Sequence, residues 1–219
     1  MKTTLYFVRH AQSDSSVRDT KTRPLTEKGR KDAERLADYF RETPITRIFS
    51  SPYIRAIDTV KPLSKARNLP ITTDDRVREW MGGRPFPHEI FRQRMQEMFE
   101  DEQSTNGGAE SMKRLKKRAQ EFILHLLSRY PGESILIGTH ALWLTAAVKN
   151  YENTIGLDFL MNLLPVAPFA AVMTFEDFSC VSMRFQNPLE EEILSKDARS
   201  AGKSNLHTFL TNRIPSENK

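Results

Sequence analysis

The sequence of 219 residues contains a single cysteine, Cys180. One cysteine cannot form a disulfide within its own chain, and such sparse use is typical of reducing compartments. Cys180 lies in a strand-like stretch, so we expect its thiol to be packed rather than reactive. The sequence also lacks an apolar run long enough to cross a bilayer, and Arg9 interrupts the first apolar stretch before it reaches signal-peptide length. We therefore expect a cytoplasmic protein.

Motifs of several common enzyme classes are also missing. The sequence has no GxSxG elbow of a serine hydrolase and no P-loop for binding nucleoside triphosphates. It has no HExxH motif and no closely spaced cysteines, so His10 and His140 are not expected to bind zinc. We expect neither a metal nor a cofactor.

Basic residues outnumber acidic ones and give a net charge of +5. Such a surplus attracts anionic metabolites, nucleic acids or membranes. The most basic stretch runs from Lys113 to Arg118, but apolar residues recur at helical spacing from Leu115 to Leu127. We therefore interpret these basic side chains as the solvent-facing side of an amphipathic helix, and we expect neither nucleic acid nor membrane as a partner.

Strand-like and helix-like patterns alternate along the chain, which predicts a three-layer α/β/α fold with a largely parallel central sheet. The stretches 170–175 and 180–185 predict an antiparallel hairpin at one edge of this sheet. The length fits one catalytic domain over residues 1–186. Residues 187–219 are polar and predict a weakly ordered tail, in which residues 206–214 have the pattern of a short docking helix.

Three strand-like runs end in residues suited to binding an anion. Leu5–Val8 is followed by Arg9 and His10, and the run 134–138 is followed by Thr139 and His140. Open α/β sheets bind ligands just beyond the carboxyl ends of their strands. A single Arg-His pair is better explained as a solvated strand end, but the repetition favours an anion site.

The third run, residues 47–50, is followed by Ser51, Pro52 and Arg55. Ser51 is a favourable helix cap and Pro52 suits the first helical position, which places Arg55 in the first turn. Because that end of a helix already carries partial positive charge, Arg55 needs an anionic partner. This partner is either a ligand or a neighbouring carboxylate.

Five motifs together resemble those of the histidine phosphatase superfamily, which includes the cofactor-dependent phosphoglycerate mutases. The motifs are VRHAQS, LTEKGRKDA, SSPYIRAIDT, REW and IGTHAL, and they stand in the family's order between about Thr3 and Phe185. A lone Arg-His pair is a weak motif, whereas five ordered motifs are a strong one. The resemblance implies a phosphoglycerate mutase-like fold and phosphoryl transfer through a phosphohistidine.

The resemblance also implies roles for five central residues. His10 matches the nucleophile, Arg9 and Arg55 match the phosphate-binding arginines, and His140 matches the histidine that contacts the transferring phosphoryl group. Glu79 matches the general acid and base. On composition alone, Glu79 would instead be a surface carboxylate paired with a neighbouring arginine at position 76 or 78.

Other positions depart from the family pattern or belong to its variable part. Ala11 and Gln12 stand where Gly-Glu is frequent, Ser16 stands where an asparagine commonly contacts phosphate, and Ala141 replaces a common glycine. We expect Gln12 and Ser16 to contact the substrate. The family's insert between the acid and the second histidine corresponds to residues 80–107, a lid that selects the substrate, in which Arg84 is a further candidate contact.

The chemistry requires these residue types. Arginine donates paired hydrogen bonds to phosphate and keeps its charge. Two nearby arginines lower the pKa of His10 by charge repulsion, which keeps a ring nitrogen available as nucleophile. We expect the other ring nitrogen to donate to a backbone carbonyl, and we expect His140 to donate to a phosphoryl oxygen.

These expectations define a histidine acid phosphatase-type phosphomonoesterase acting on a small phosphorylated metabolite, as a monomer or homodimer. A phosphoglycerate mutase-type transfer is the first alternative, but the compact spacing between Glu79 and His140 favours hydrolysis. A catalytically silent protein that binds a phosphorylated ligand is the second. The presence of all five central residues argues against it.

Overall fold

The computed structural model describes residues 1–82, 88–105 and 107–189. The predicted tail therefore lies outside the described residues beyond position 189, as does Arg84. The strands are β1 (Lys2–Arg9), β2 (Arg47–Ser50), β3 (Ile71–Thr73), β4 (Ser134–Thr139), β5 (Phe169–Glu176) and β6 (Ser179–Gln186). The helices are α1 (Glu27–Tyr39), α2 (Ile54–Arg67), α3 (Phe91–Glu100), α4 (Met112–Arg129), α5 (Ala141–Lys149) and α6 (Leu157–Leu163), with short 3-10 turns at Asp75–Val77 and His88–Ile90.

The six strands form one sheet in the order β3-β2-β4-β1-β5-β6. The first four in this order run parallel, whereas β5 pairs antiparallel with β1 and β6 pairs antiparallel with β5. The β5–β6 hairpin closes one edge of the sheet. The predicted fold, a largely parallel sheet with an antiparallel edge hairpin, is confirmed.

Side chains of β1 enter two separate apolar cores. Leu5 and Phe7 pack in the core formed with α4, α5 and α6, while Val8 packs in the core formed with α1 and α2. Alternate residues of a strand face opposite sides of its sheet, so a strand covered by helices on both sides is apolar throughout. This explains the uninterrupted apolar run before Arg9. None of the helices in the described ranges has the length and apolarity needed to cross a membrane.

The start of α2 differs from the prediction. The helix begins at Ile54 rather than Pro52, and Tyr53 is its extended N-cap residue. The backbone N–H of Ser51 still bonds to the carbonyl of Gly138 at 2.8 Å, which holds the chain in line with the sheet. Ser51 therefore continues the line of β2, and Tyr53 rather than Ser51 is the cap residue of the helix. Arg55 nevertheless lies in the first turn, as predicted.

The basic stretch of α4 also needs one correction. Lys113, Arg114 and Lys117 are exposed, as expected for the solvent-facing side of the helix. Arg118 is buried, and its guanidinium forms an ion pair with Glu110 at 2.6 Å. Its position, three residues after Leu115, belongs to the apolar stripe of the helix.

Gly29 allows α1 to approach the backbone of the strand-end loop. A Cβ atom at this position would lie 2.0 Å from the carbonyl oxygen of Gln12. We expect Gly29→Ala to lower the free energy of unfolding by about 1–3 kcal/mol, because the backbone must shift to relieve the clash. Urea unfolding followed by circular dichroism measures this loss. Gly156→Ala is the matched control, since its Cβ would meet only Thr154 at 4.0 Å, and an equal loss in both variants would contradict the prediction.

Candidate active site

The carboxyl ends of β1, β4 and β2 lie side by side. Arg9 is in register with Thr139, and the backbone N–H of His10 donates to the Thr139 carbonyl at 2.9 Å. This pairing places the imidazole rings of His10 and His140 with their centroids 5.3 Å apart, edge to face. The predicted meeting of the strand ends is therefore confirmed.

The start of α2 adds Tyr53 and Arg55 to the same place. The edge-to-face contact between the Tyr53 and His140 rings has a centroid distance of 5.2 Å, and the Arg55 guanidinium lies 5.0 Å from the Tyr53 ring centroid. Arg55 also donates to the backbone carbonyl of Thr20. Burial lowers the pKa of Arg55, and the negative charge of Glu79 partly offsets this effect. The two partners predicted for Arg55, a bound anion and a neighbouring carboxylate such as Glu79, are therefore both compatible with the structure.

Arg9 is buried and held by the end of α6. Its Nη1 donates to the carbonyls of Leu163, Leu164 and Val166 at 2.6–2.8 Å. These carbonyls carry the partial negative charge of a helix C-terminus, which suits a guanidinium. Burial lowers the pKa of Arg9 to about 10, so the group stays positive at neutral pH. Its Nε atom has no hydrogen-bond partner within the described part of the chain, which leaves a buried donor for an anion.

The ring of His10 is fixed by one backbone carbonyl. Its Nδ1 lies 2.7 Å from the carbonyl oxygen of Ala11, and because a carbonyl only accepts, Nδ1 carries the hydrogen. Nε2 is then left with its lone pair. Burial is the largest cause of a pKa well below 6.5 for His10, and the charges of Arg55 and Arg9 lower it further. The sequence predicted the two arginines and the carbonyl contact, whereas the larger effect of burial follows from the structure.

Thr59 holds Ala11, the residue whose carbonyl fixes His10. Its hydroxyl oxygen accepts a hydrogen bond from the Ala11 N–H at 2.9 Å, and the hydroxyl donates to the Arg55 carbonyl at 2.7 Å. The helix that supplies Arg55 therefore also anchors the backbone N–H of Ala11. Thr59 was not among the site residues predicted from the sequence.

Glu79 lies at the N-terminus of α5. Its Oε1 accepts from the backbone N–H groups of Trp80 at 2.8 Å and Trp143 at 3.2 Å, and its Oε2 accepts from Leu142 at 3.5 Å. The N-cap residue His140 supplies no side-chain bond, so Glu79 satisfies donors that a cap residue would normally take. This arrangement holds the carboxylate next to His140.

The alternative interpretation of Glu79 as a surface partner of an arginine is wrong. Arg76 pairs instead with Asp74 at 2.6 Å, and Arg78 donates to the Asp75 carbonyl at 3.0 Å. The charge of Glu79 instead raises the pKa values of Arg9 and Arg55, the two central guanidinium groups.

Arg118 and Glu110 support the segment that carries Glu79. Arg118 donates to both carboxylate oxygens of Glu110 at 2.6 and 2.8 Å, and to the carbonyls of Arg76, Arg78 and Glu79 at 2.7–3.3 Å. These bonds engage its whole guanidinium. This role of Arg118 was not predicted from the sequence, although an arginine within an apolar helical stripe is a signal of a buried ion pair.

Two of the predicted outer contacts have other partners. The side-chain oxygen of Gln12 accepts from the Thr26 hydroxyl at 2.9 Å, and the hydroxyl of Ser16 donates to Asp14 at 2.6 Å. Their hydrogen bonds in the described ranges do not reach the five central residues. Arg23, which sequence analysis did not select, contributes positive charge that lowers the pKa values of His10 and Arg55.

The lowered pKa values of His10 and His140 predict a specific dependence of stability on pH. Burial, followed by Arg55, also lowers the pKa of His140 well below 6.5. Below pH 6.5 the unfolded chain binds protons at these two positions that the folded chain does not bind, so stability decreases as pH falls. We expect the free energy of unfolding to fall as the pH is lowered through 6.5, with a slope that approaches about 1.4 kcal/mol per pH unit for each histidine that stays neutral in the folded chain.

Urea unfolding at several pH values measures this slope. His140→Gln should have a shallower slope than the unchanged chain, because one of the two protons is no longer taken up on unfolding. His125→Gln, at an exposed position on α4, should keep the full slope. A stability that is equal at pH 6.5 and pH 5 would contradict the assignment of neutral buried rings.

In the described ranges, no three His, Cys, Asp or Glu side chains lie close enough together to hold a metal ion. The donors that converge here are instead cationic or neutral: Arg9, Arg55 and the two imidazole rings. Such a set suits a bound anion, and phosphate in particular, because arginine matches its geometry.

Comparison with protein families gives one match, in which the model of the histidine phosphatase superfamily (branch 1) covers residues 5–171. A comparison with curated proteins gave no match. The matched range contains all five residues that the sequence singled out as central.

Solved structures with the same fold include several phosphatases. A mycobacterial glucosyl-3-phosphoglycerate phosphatase superimposes with a TM-score of 0.65 at 19% identity, covering 85% of this chain and 98% of its own. An Entamoeba histolytica phosphoserine phosphatase, solved with phosphoserine, has a TM-score of 0.69 at 16% identity, with coverages of 83% and 96%. Bacillus stearothermophilus YhfR is 28% identical, with a TM-score of 0.64 and coverages of 81% and 94%.

Proposed function

The chain belongs to branch 1 of the histidine phosphatase superfamily, and from this premise we propose that it is a phosphomonoesterase that hydrolyses a small phosphorylated metabolite. The reaction proceeds through a phosphohistidine on His10. The observation that carries the proposal is the state of this ring: Nδ1 is bound to the Ala11 carbonyl, and Nε2 keeps its lone pair beside two buried arginines. The relatives named as phosphatases of small metabolites support the reaction class.

In the first half of the reaction, Nε2 of His10 attacks the phosphorus atom of the ester. The N–P bond forms as the P–O bond to the alcohol breaks, and Glu79 gives its proton to the leaving oxygen. Arg9 and Arg55 hold the oxygens of the phosphoryl group, and His140 donates to one of them. These charges stabilise a loose transition state whose negative charge is spread over three oxygens.

In the second half, Glu79 removes a proton from a water molecule that attacks the phosphohistidine. The N–P bond breaks, the electron pair returns to Nε2 of His10, and inorganic phosphate leaves. Glu79 ends protonated and His10 neutral, as at the start of the cycle. Glu79 serves both steps because the leaving alcohol and the attacking water each have their oxygen on the same side of the phosphorus atom.

We assign selection of the substrate to residues outside the central five. Gln12 and Ser16 reach a substrate once they exchange their present bonds to Thr26 and Asp14. Residues 80–107, which include Arg84, form the lid, and the catalytic domain spans residues 1–186 with a tail at 187–219. These assignments are proposals that follow from the family resemblance.

Purified protein and a panel of phosphate esters test the proposal. The panel contains p-nitrophenyl phosphate, sugar phosphates, nucleotides and 3-phosphoglycerate, the last with a trace of 2,3-bisphosphoglycerate. We expect release of inorganic phosphate from at least one ester, at a rate unchanged by EDTA. Formation of 2-phosphoglycerate without phosphate release would replace hydrolysis by mutase activity. Tight ester binding without turnover would indicate a binding protein.

A further inference from the structure

Ser51 contacts His140, and this contact has no role in the proposed mechanism. Its side chain is fully buried between the end of β2 and the start of α2. The hydroxyl oxygen lies 2.7 Å from Nε2 of His140 and accepts the backbone N–H of Tyr53 at 3.2 Å. On the other side of the same imidazole, Nδ1 is buried and has no hydrogen-bond partner in the described part of the chain.

The position of one hydrogen decides what His140 offers to a ligand. Because burial and Arg55 hold its pKa well below 6.5, the ring is neutral and carries one N–H. If that hydrogen were on Nε2, it would point at the Ser51 oxygen, and the serine hydrogen would have no acceptor among the contacts that the structure describes. If the hydrogen is on Nδ1, the serine hydroxyl donates to Nε2 and both atoms are satisfied. The second arrangement leaves one fewer buried polar atom without a hydrogen bond, so it is the more stable of the two.

We propose that Ser51 is a positioning residue that donates its hydroxyl hydrogen to Nε2 of His140 and thereby fixes the tautomer with the hydrogen on Nδ1. In this tautomer His140 presents an N–H to the site shared with His10. A lone pair at the same atom would repel the oxygens of a phosphoryl group. The inference deepens the proposed function, since it states why His140 donates.

The two histidines then carry their hydrogens on the same nitrogen and yet offer opposite groups. In His10, Nδ1–H is used by the Ala11 carbonyl, and the lone pair of Nε2 remains. In His140, Nε2 is used by Ser51, and Nδ1–H remains. One ring is thus a nucleophile and the other a donor, and the difference arises from which ring nitrogen the surrounding residues occupy.

Ser51 is itself fixed on both sides. Its backbone N–H bonds to the Gly138 carbonyl, two residues before His140, at 2.8 Å. Its carbonyl accepts the hydroxyl of the preceding buried residue, Ser50, at 2.8 Å. Ser50 therefore provides a matched control, because it is also a buried serine but bonds to a backbone carbonyl rather than to His140.

Nuclear magnetic resonance of protein with ¹⁵N-labelled histidine reports the tautomer directly. Two-bond correlations between ring protons and ring nitrogens distinguish Nδ1–H from Nε2–H, and the signal missing in His140→Gln assigns the ring. We expect Nδ1–H for His140 in the unchanged protein and in Ser50→Ala. Detection of Nε2–H in the unchanged protein would overturn the proposal, with no need for a folded Ser51 variant.

Kinetic measurements test whether the tautomer of His140 affects the rate of hydrolysis. Ser51→Ala should lower kcat by about 10–100-fold with little change in KM, because a donor aimed at the transition state is lost from part of the population. Ser51→Thr, which keeps the hydroxyl, should restore most of the rate, and Ser50→Ala should retain it. Equal rates for Ser51→Ala and Ser50→Ala would refute the positioning role. If the unchanged protein hydrolyses no ester, the proposed function fails, while the tautomer measurement still decides the assignment of Ser51.

Discussion

His10→Ala should lower the rate of phosphate release by at least about 10⁴-fold for every ester that the protein hydrolyses. The reason is that the other central residues have different roles: His140 presents an N–H, Arg9 and Arg55 only donate, and Glu79 is assigned to proton transfer. Without Nε2 of His10 the reaction loses its covalent intermediate, and direct attack by water must replace two easier steps by one difficult step.

The intermediate offers a second measurement. Acid-sensitive, alkali-stable incorporation of ³²P from a labelled ester should be present in the unchanged protein and absent in His10→Ala. His125→Ala is the control, since His125 is exposed on α4 and is not one of the five central residues. Substantial phosphate release by His10→Ala, or labelling that persists in it, would assign the nucleophile to another residue.

The folded state should survive this substitution. The His10 ring is neutral, so its removal leaves no unpaired charge, and the Ala11 carbonyl loses one hydrogen bond. Circular dichroism and the unfolding midpoint at neutral pH should stay close to those of the unchanged chain. A loss of activity with an intact fold then reports on chemistry rather than on stability.

Glu79→Gln should slow phosphoryl transfer to His10 by about 10²–10⁴-fold for esters of alkyl alcohols. The glutamine oxygen can still accept from Trp80 and Trp143, so the geometry at the start of α5 is preserved while the exchangeable proton is lost. Esters of p-nitrophenol should be affected far less in this step, because their leaving group departs without a proton.

Single-turnover measurements of phosphohistidine formation separate this step from the later attack of water, which also uses Glu79. The ratio of the rates for an alkyl ester and p-nitrophenyl phosphate should fall sharply in Glu79→Gln. Glu121→Gln, at an exposed position of α4, should leave the ratio unchanged. An equal slowing for both leaving groups would argue against the role of Glu79 as an acid.

The order of elements and the location of the site were readable from sequence because both depend on local patterns. The apolar run of β1 followed by Arg9 and His10, and the run of β4 followed by His140, predict that these residues leave the sheet at one edge. Parallel pairing of β1 and β4 in register then brings the two rings together. The same reasoning placed Arg55 in the first turn of α2, although the helix starts two residues later than predicted.

Interactions between distant segments could not be read in this way. The pattern around Arg118 places it on the apolar side of α4, but it does not specify the partners of its guanidinium, which are Glu110 and the backbone that carries Glu79. The three N–H groups that hold the Glu79 carboxylate come from its own neighbour and from α5, more than sixty positions along the chain. A short motif identifies a carboxylate but not the groups around it.

The sequence by itself determined which residue types stand at the strand ends, because alternation and apolar runs encode strand, turn and helix locally. Only the tertiary structure decided the chemical state of those residues. The hydrogen on each imidazole depends on a carbonyl at Ala11 and on a hydroxyl at Ser51 that lies 89 positions from His140. Burial, which lowers the pKa of both rings, likewise exists only once helices cover the sheet from both sides.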